Sequence, residues 1–473
     1  MMNVLPNELL AKVLGNLNYL DIANIEIAFG NKEDIQDCIE KGSWLALRAK
    51  SNDCDFGYLY DGESWFKLYA ALMKIDAKES TLLWLLFDGE PTLKKEDQVV
   101  DNMLKFSKCF STRRKFDAAR RLGEAGYWAS GTDILNHLME ENQIFENGIE
   151  NKPRWQAQLR IEASEYLIDN LYASTYVRST DFDSISLAKA FRWISDAKAM
   201  LDKIQSENEV KIKIIKKQNQ IMPKDKVPLV SVSLQTQKIN CLRVFGKVCA
   251  LLGQHVGLGA FRSIGYSNCS TIPKNYQQVF DLGIHALHFA ISLAQDTDHF
   301  LYALCLATKA ELEYCQASVL TQFIIIGRIV GHESAPQLIH LAQISVQGTR
   351  NALDILFRKV PKPKQGPQII NMCKDLAKVY NFLFEVSTGL CRDDHNFSQQ
   401  QIASFASDAY YFSSRAYLLG LLQFHPNHPS LQNINRLRKS AALIATFSDP
   451  NESTIPYDED ESTADDESEV DNT

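Results

Sequence analysis

No apolar run in this chain approaches the ~20 residues needed to cross a bilayer. The longest candidate, Phe323-Ile324-Ile325-Ile326, is cut by Gly327-Arg328. That pattern predicts no membrane association. Paired cysteine spacing is also missing. Ten cysteines are scattered between Cys38 and Cys391, with no CxxC and with Cys241 and Cys249 as the closest two. Neither a zinc site nor a disulfide framework fits; reduced, mostly buried thiols in a cytoplasmic or nuclear protein do. Met1-Met2-Asn3-Val4 leads straight into a polar-punctuated helical pattern, so no signal peptide is expected.

Positive charge is in short supply too. The net charge is −8, and ten acidic residues with no Lys or Arg lie between Glu452 and the C-terminus. Taking those ten carboxylates away leaves +2 for residues 1–450. A nucleic-acid-binding body would be far more basic, so no nucleic-acid partner is expected. The tail, with Ser462, Thr463 and Ser468 among its carboxylates, cannot bury enough apolar surface to fold alone, and disorder is expected for residues 448–473.

Catalytic signatures are absent as well: no Gly-x-Ser-x-Gly, His-Glu-x-x-His or kinase set is found. His285 and His288 stand three apart on one predicted helix, without a nearby carboxylate in sequence to complete a metal set. Gly253-Gln254-His255-Val256-Gly257-Leu258-Gly259 follows a helix rather than a strand and lacks the Lys-Ser/Thr of a phosphate loop, so it reads as a tight loop. Asp393-Asp394-His395 reads as a polar turn. The chain is therefore expected to be no enzyme and to need no cofactor or metal.

What is present is helical periodicity. At the N-terminus Leu5-Pro6 precede apolar residues at Leu9, Leu10, Val13, Leu14 and Leu17, the i, i+3/i+4 spacing of one helix face. Pro6 suits a first helical position, where the N–H it lacks would have had no partner. Asp21 stands at an N-cap position ahead of Ile22, Ile25 and Ile27. Two short helices this apolar need a third element or a partner to bury them.

Further along, a short apolar stretch at Leu82–Phe87 fits either a buried helical turn or a strand. From about Ser111 the pattern is almost wholly helical. Phe116, Ala119, Leu122 and Ala125 make a face ended near Gly126. Ile134, Leu135 and Leu138 make the next, with Thr132 as a candidate cap. A long helix follows Pro153, and another starts after Ser184 or Ser186. Between Ser206 and Ser233 dispersed lysines and two prolines mark an exposed connection; they are too spread out to favour a nuclear import signal. Helices are then expected over 242–252, 276–294, 300–319, 338–357, 369–390, 402–424 and 431–447, with Ala286, Ala303, Ala307, Ala310 and Ala317 allowing close approach.

The N-terminal stretch resembles an F-box, the module through which adaptors enter SCF-type ubiquitin ligases. The matching residues are Leu5-Pro6, Glu8, Val13-Leu14, Leu17 and Asp21-Ile22, with Trp44 at the place of a late tryptophan. The resemblance implies docking on a Skp-family adaptor, and through it a cullin scaffold, by Leu5, Pro6, Leu9, Leu10, Val13, Leu14, Leu17, Asp21, Ile22 and Ile25. The later helix pairs resemble degenerate tetratricopeptide-type repeats. The expected fold is all-α: an F-box-like module over 1–48, a connecting region over 49–110, an α-solenoid-like array of antiparallel helix pairs over 111–447, and the acidic tail. The implied function is a substrate receptor, its array capturing a protein target. A helical scaffold unrelated to ubiquitin, capped by residues 5–44, is the competing expectation.

Overall fold

The computed structural model describes residues 128–141, 152–174, 180–218, 233–258, 272–328, 331–360, 366–390, 397–424 and 428–448, together with Lys12, Val13, Cys38, Ile39, Lys41, Gly42 and parts of 115–126. Apart from Lys12, Val13, Cys38, Ile39, Lys41 and Gly42, the F-box-like segment lies outside the described residues, as do the Leu82–Phe87 stretch and the acidic tail after Ser448. Among the described residues the protein is all-α, with ten long helices and no strand. The chain divides into two compact units, Met1–Ala294 and Gln295–Thr473. The division falls inside the stretch read above as one continuous array.

The first unit contains α1 (Trp128–Glu141), α2 (Lys152–Ser174), α3 (Thr180–Gln218), α4 (Leu234–Gly257) and α5 (Tyr276–Ala294). Each packs on its neighbour in sequence, and α2 also meets α4. Side-chain pairing gives the directions. Along α3 and α4, Ile194 faces Cys241 while Asp202 and Gln205 meet Lys238. One index falls as the other rises, so these helices are antiparallel. Along α2 and α4 the offset stays near constant, 83 residues at Arg154–Gln237 and 78 at both Glu165–Arg243 and Asp169–Lys247. These two are parallel, as next-but-one helices of an up-and-down array must be.

Packing between α4 and α5 relies on missing side chains. A Cβ on Gly246 would lie 2.5 Å from Leu287, and one on Gly253 would lie 2.6 Å from the Phe280 ring. Gly253 is therefore helical and close-packed, not part of a loop; α4 continues through it to end at the buried Gly257. Two predicted helix starts also move. Thr132 lies one turn inside α1, where its hydroxyl donates to the Trp128 carbonyl at 2.8 Å rather than capping. Ser184 and Ser186 are buried within α3, which begins at Thr180. Both errors have one cause: a hydroxyl that can cap can equally bond back within a helix, and sequence does not distinguish them.

The second unit contains α6 (His299–Ile325), α7 (Gly331–Lys359), α8 (Gly366–Glu385), α9 (Gln399–Gln423) and α10 (Pro429–Ser448), with a π-helical turn over Val386–Leu390 after α8. Asp298 caps α6 by accepting from the Phe300 and Leu301 N–H groups at 3.0 and 3.1 Å. Gly327, at φ +68°, ends it: the Arg328 N–H reaches back to the Phe323 carbonyl at 2.8 Å. Ser398 and Gln401 form a reciprocal capping box on α9. Of the alanines expected to allow close approach, Ala303, Ala310 and Ala317 are buried, and a Cβ on Gly348 would sit 3.1 Å from that of Ala310. One core joins the unit, including Ala303, Leu338, Leu356, Leu376, Ala409, Ile434 and Ala441.

Candidate protein-interaction surface

Of the residues expected to meet a Skp-family adaptor, Val13 is described; it is helical and 50% exposed. Leu5, Pro6, Leu9, Leu10, Leu14, Leu17, Asp21, Ile22 and Ile25 lie outside the described residues. The two units of the helical body present different chemistry.

In the first unit, charge is drawn inward. Glu165 on α2 accepts from Arg243 Nη2 on α4 through both oxygens, at 2.7 and 2.8 Å. Lys247 lies 2.6 Å from Asp169 and 3.6 Å from Glu165. Burial alone would raise the Glu165 pKa, but Arg243 and Lys247 outweigh it and hold the carboxylate below its usual range. One turn away Glu162 goes the other way: burial dominates and pushes its pKa up, with Arg120 only partly offsetting. Opposed shifts in adjacent carboxylates can mark an acid–base pair. Here both lie on α2, and the partners that hold Glu165, Arg243 and Lys247, come from α4. The belt ties α2 to α4.

The thiols are equally inert. Cys38, Cys241, Cys249, Cys305, Cys315 and Cys373 are free and buried. Burial pushes the Cys241 thiol up to about 12 and that of Cys373 up to about 11, away from the thiolate a nucleophile needs. His285 and His288 are both exposed on α5. Among the described residues no group of His, Cys, Asp and Glu is placed to hold a metal. No described helix is long and apolar enough to cross a membrane. Asp393-Asp394-His395 lie outside the described residues.

The second unit carries its polar and aromatic chemistry outward along α7 and α9. Arg350 reaches Asp408 at 3.4 Å, an offset of 58 residues. Arg415 lies over the Phe357 ring at 5.5 Å with the same offset. Gln343 and Gln401, again 58 apart, share a shallow open depression of about 380 Å³ with Phe397, Ser398 and Phe405. The constant offset makes α7 and α9 parallel neighbours, with contacts recurring every two turns. Tyr380 of α8 stacks on Phe412 at 5.9 Å between ring centres and lies 5.5 Å from the Arg350 guanidinium. Burial pushes the Tyr380 hydroxyl up to about 12, so it stays a neutral donor.

Towards the end of α9 this face turns apolar. Leu418 is 61% exposed, Leu421 50% and Leu422 82%, beside exposed Tyr411 and, on α7, Phe357. A single exposed leucine is ordinary; three within two turns of one helix are a patch. Sequence reading missed it because residues 402–424 show a helical period all round, and periodicity does not reveal which stripe the neighbours leave uncovered.

Comparison with known proteins adds little. No protein-family model and no curated protein matches the chain. A solved circular tandem repeat protein, described as having a novel repeat topology and enhanced subunit contact surfaces, aligns over 93% of this chain and 97% of its own, at 9% identity and a TM-score of 0.28. A likeness that low carries no argument; the all-α assignment rests on the helices described above.

Proposed function

We propose that this chain is a non-catalytic adaptor, the substrate receptor of an SCF-type ubiquitin ligase. Its N-terminal segment docks on a Skp-family adaptor and its helical array holds a protein target. The observation that carries the ligase half is the order Leu5-Pro6, Glu8, Val13-Leu14, Leu17, Asp21-Ile22. The capture half rests on the exposed face of α7 and α9, where Phe357, Tyr411, Leu418 and Leu422 leave apolar surface beside polar anchors. Such a receptor performs no bond chemistry. It raises the effective concentration of target lysines near a ligase-bound ubiquitin carrier. A cytoplasmic or nuclear setting suits that role.

Recognition of the adaptor would follow the helix-in-groove mode, with i, i+3/i+4 apolar anchors. Each buried Leu or Ile contributes ~1.5–3 kcal/mol, and a few central anchors dominate. Leu5→Ala combined with Pro6→Ala should weaken adaptor binding by at least ~10-fold, one decade being ~1.4 kcal/mol. The measurement is binding of purified full-length chain to the adaptor, with a version lacking residues 1–48 as reference. No binding by the wild type at micromolar concentration, or equal binding by the double variant, would remove the ligase reading. The second reading is a helical scaffold unrelated to ubiquitin. It gains if the double substitution unfolds the array, because residues 5–44 would then be part of its core.

A further inference from the structure

The leucines of α9 are uncovered because α9 outruns its neighbour. The 58-residue offset places Leu418 and Leu422 level with positions 360 and 364, past the end of α7 at Lys359. Tyr411, Arg415, Leu418 and Leu422 then form one row at i, i+4, i+7 and i+11, about 16 Å long at 1.5 Å per residue. Gly420 abuts Leu431, and Arg438 lies over Tyr417 at 4.4 Å, so α10 runs antiparallel to α9. The exposed residues of α10 level with the two leucines are Gln432 and Arg436, both polar, so the apolar row is one helix wide. The charge beside it has one sign. Arg436 and Lys439 of α10 are exposed along the same stretch. Arg415 donates to the Tyr411 hydroxyl at 3.1 Å and covers the Phe357 ring, and among the described residues no carboxylate pairs with it. Asp354 and Asp408, the carboxylates of the last two turns of α7 and of α9, are already held by Arg358 and Arg350.

We propose that this row binds an acidic amphipathic helix of a partner protein, its apolar side on Leu418, Leu421 and Leu422 and its carboxylates on Arg415, Arg436 and Lys439. A helical surface has no open backbone ladder for an extended peptide to pair with, so affinity must come from side chains. A second helix with apolar residues at i, i+3/i+4 and i+7 lays a matching ridge along the row. Cations on its border favour carboxylates on the flanks of that helix and repel basic ones. A second copy of this chain fits less well, because it would bring the same cations to the contact. A bilayer fits less well too, because it needs a broad apolar plane and not a single row. This inference names the class of target for the capture half of the proposed function and rests on that half alone; docking on a Skp-family adaptor is not involved.

The test titrates the full-length chain against a labelled synthetic helix of about five turns, with leucines at i, i+3/i+4 and i+7 and glutamates on both flanks. Two twins replace its glutamates by lysine or its leucines by alanine. Fluorescence anisotropy should show micromolar binding of the acidic helix, and binding at least about tenfold weaker for each twin. Leu422→Asp, at a side chain already 82% exposed, leaves the fold alone and should weaken binding at least about fivefold. Arg415→Glu should do the same and also gain affinity for the lysine twin, which a loss of folding would not produce; Arg415→Lys should stay within about twofold of wild type. Raising the salt to about 0.5 M should weaken binding of the acidic helix, as screening demands. Wild-type affinity in either Leu422→Asp or Arg415→Glu overturns the proposal. So does self-association, or binding to vesicles of phosphatidylcholine and phosphatidylserine, that Leu422→Asp abolishes. If the lysine twin binds as tightly as the acidic helix and Leu422→Asp weakens both, the face captures helices whatever their charge: this proposal falls and the capture half stands. If no probe binds at about 100 µM, roughly the weak end of useful recognition, both fall, and adaptor docking keeps its own test.

Discussion

Glu165 in the first unit and Arg350 in the second serve the same geometric purpose in different surroundings. Each ties a helix to its next-but-one neighbour in parallel register, through Arg243 and Asp408 respectively. The first pair closes to 2.7 Å with side chains 19% and 10% exposed; the second spans 3.4 Å with side chains 48% and 34% exposed. A pair taken out of water cannot lose one member without leaving the other stranded. A pair left in water exchanges its partner for solvent at little cost. The first unit therefore uses charge to fix register. The second leaves charge, rings and leucines accessible to solvent.

The largest expected effect that separates the units is a core truncation in the first. Phe280 is fully buried and its ring fills the space above Gly253. Phe280→Ala should destabilise by about 3–5 kcal/mol, read by chemical denaturation. Alkylation of Cys249 should then accelerate relative to Cys373, because the first thiol reports opening of Met1–Ala294 and the second opening of Gln295–Thr473. Equal acceleration of both would show that the units melt as one and would dissolve the comparison.

Next comes Glu165→Ala, which strands Arg243 between helices while Lys247 keeps Asp169. A loss of about 3 kcal/mol is expected, at the low end for a broken buried pair because these groups keep some solvent contact. A loss under about 1 kcal/mol, the range of surface pairs, would place this belt in the same class as Arg350–Asp408.

A smaller, sign-specific effect belongs to pH. Glu165, held low when folded, contributes stability that is present above its unfolded value near 4.5 and disappears as pH falls through the folded value. Glu162, held high by burial, contributes stability below about 4.5 that is lost as pH rises through its folded value. Glu162→Gln removes that second loss. Between pH 4.5 and about 7, the melting temperature of this variant should therefore rise relative to wild type. A flat or falling difference would mean that Glu162 titrates as an exposed carboxylate does.

The smallest effect is expected at the exposed counterpart. Arg350→Ala gives up its pairing with Asp408 and its place over Tyr380 and Phe412, together worth below about 1 kcal/mol in this half-exposed setting. Thermal melting would check it; a loss near that of Glu165→Ala would mean that the α7–α9 contacts hold the second unit together as the Glu165 belt holds the first.

Much of the fold was legible in local pattern. The span of α5 matches its apolar period from Tyr276 to Ala294, and α6 starts within a residue of the expected 300 but runs past the expected 319 to Ile325, where Gly327 stops it. These are set by contacts three and four residues apart and by backbone freedom at one glycine, so sequence alone determined them. Helix starts were less legible: Thr132, Ser184 and Ser186 have capping side chains but lie inside helices, since a neighbouring helix buries them and extends the element past its local preference.

What only the tertiary structure decided is which side chains meet at long range. No local period announces an offset of 78 residues between Glu165 and Arg243, or of 58 between Arg350 and Asp408. These offsets follow from the summed lengths of a helix, its connections and its neighbour, and from close approaches at Gly246, Gly253 and Gly348 that bring particular turns level. The same arithmetic settles which charged groups are enclosed and which leucines of α9 are left uncovered. Local sequence makes the helices because their hydrogen bonds close within four residues. The surface they present depends on how far apart in the chain two turns can lie and still touch.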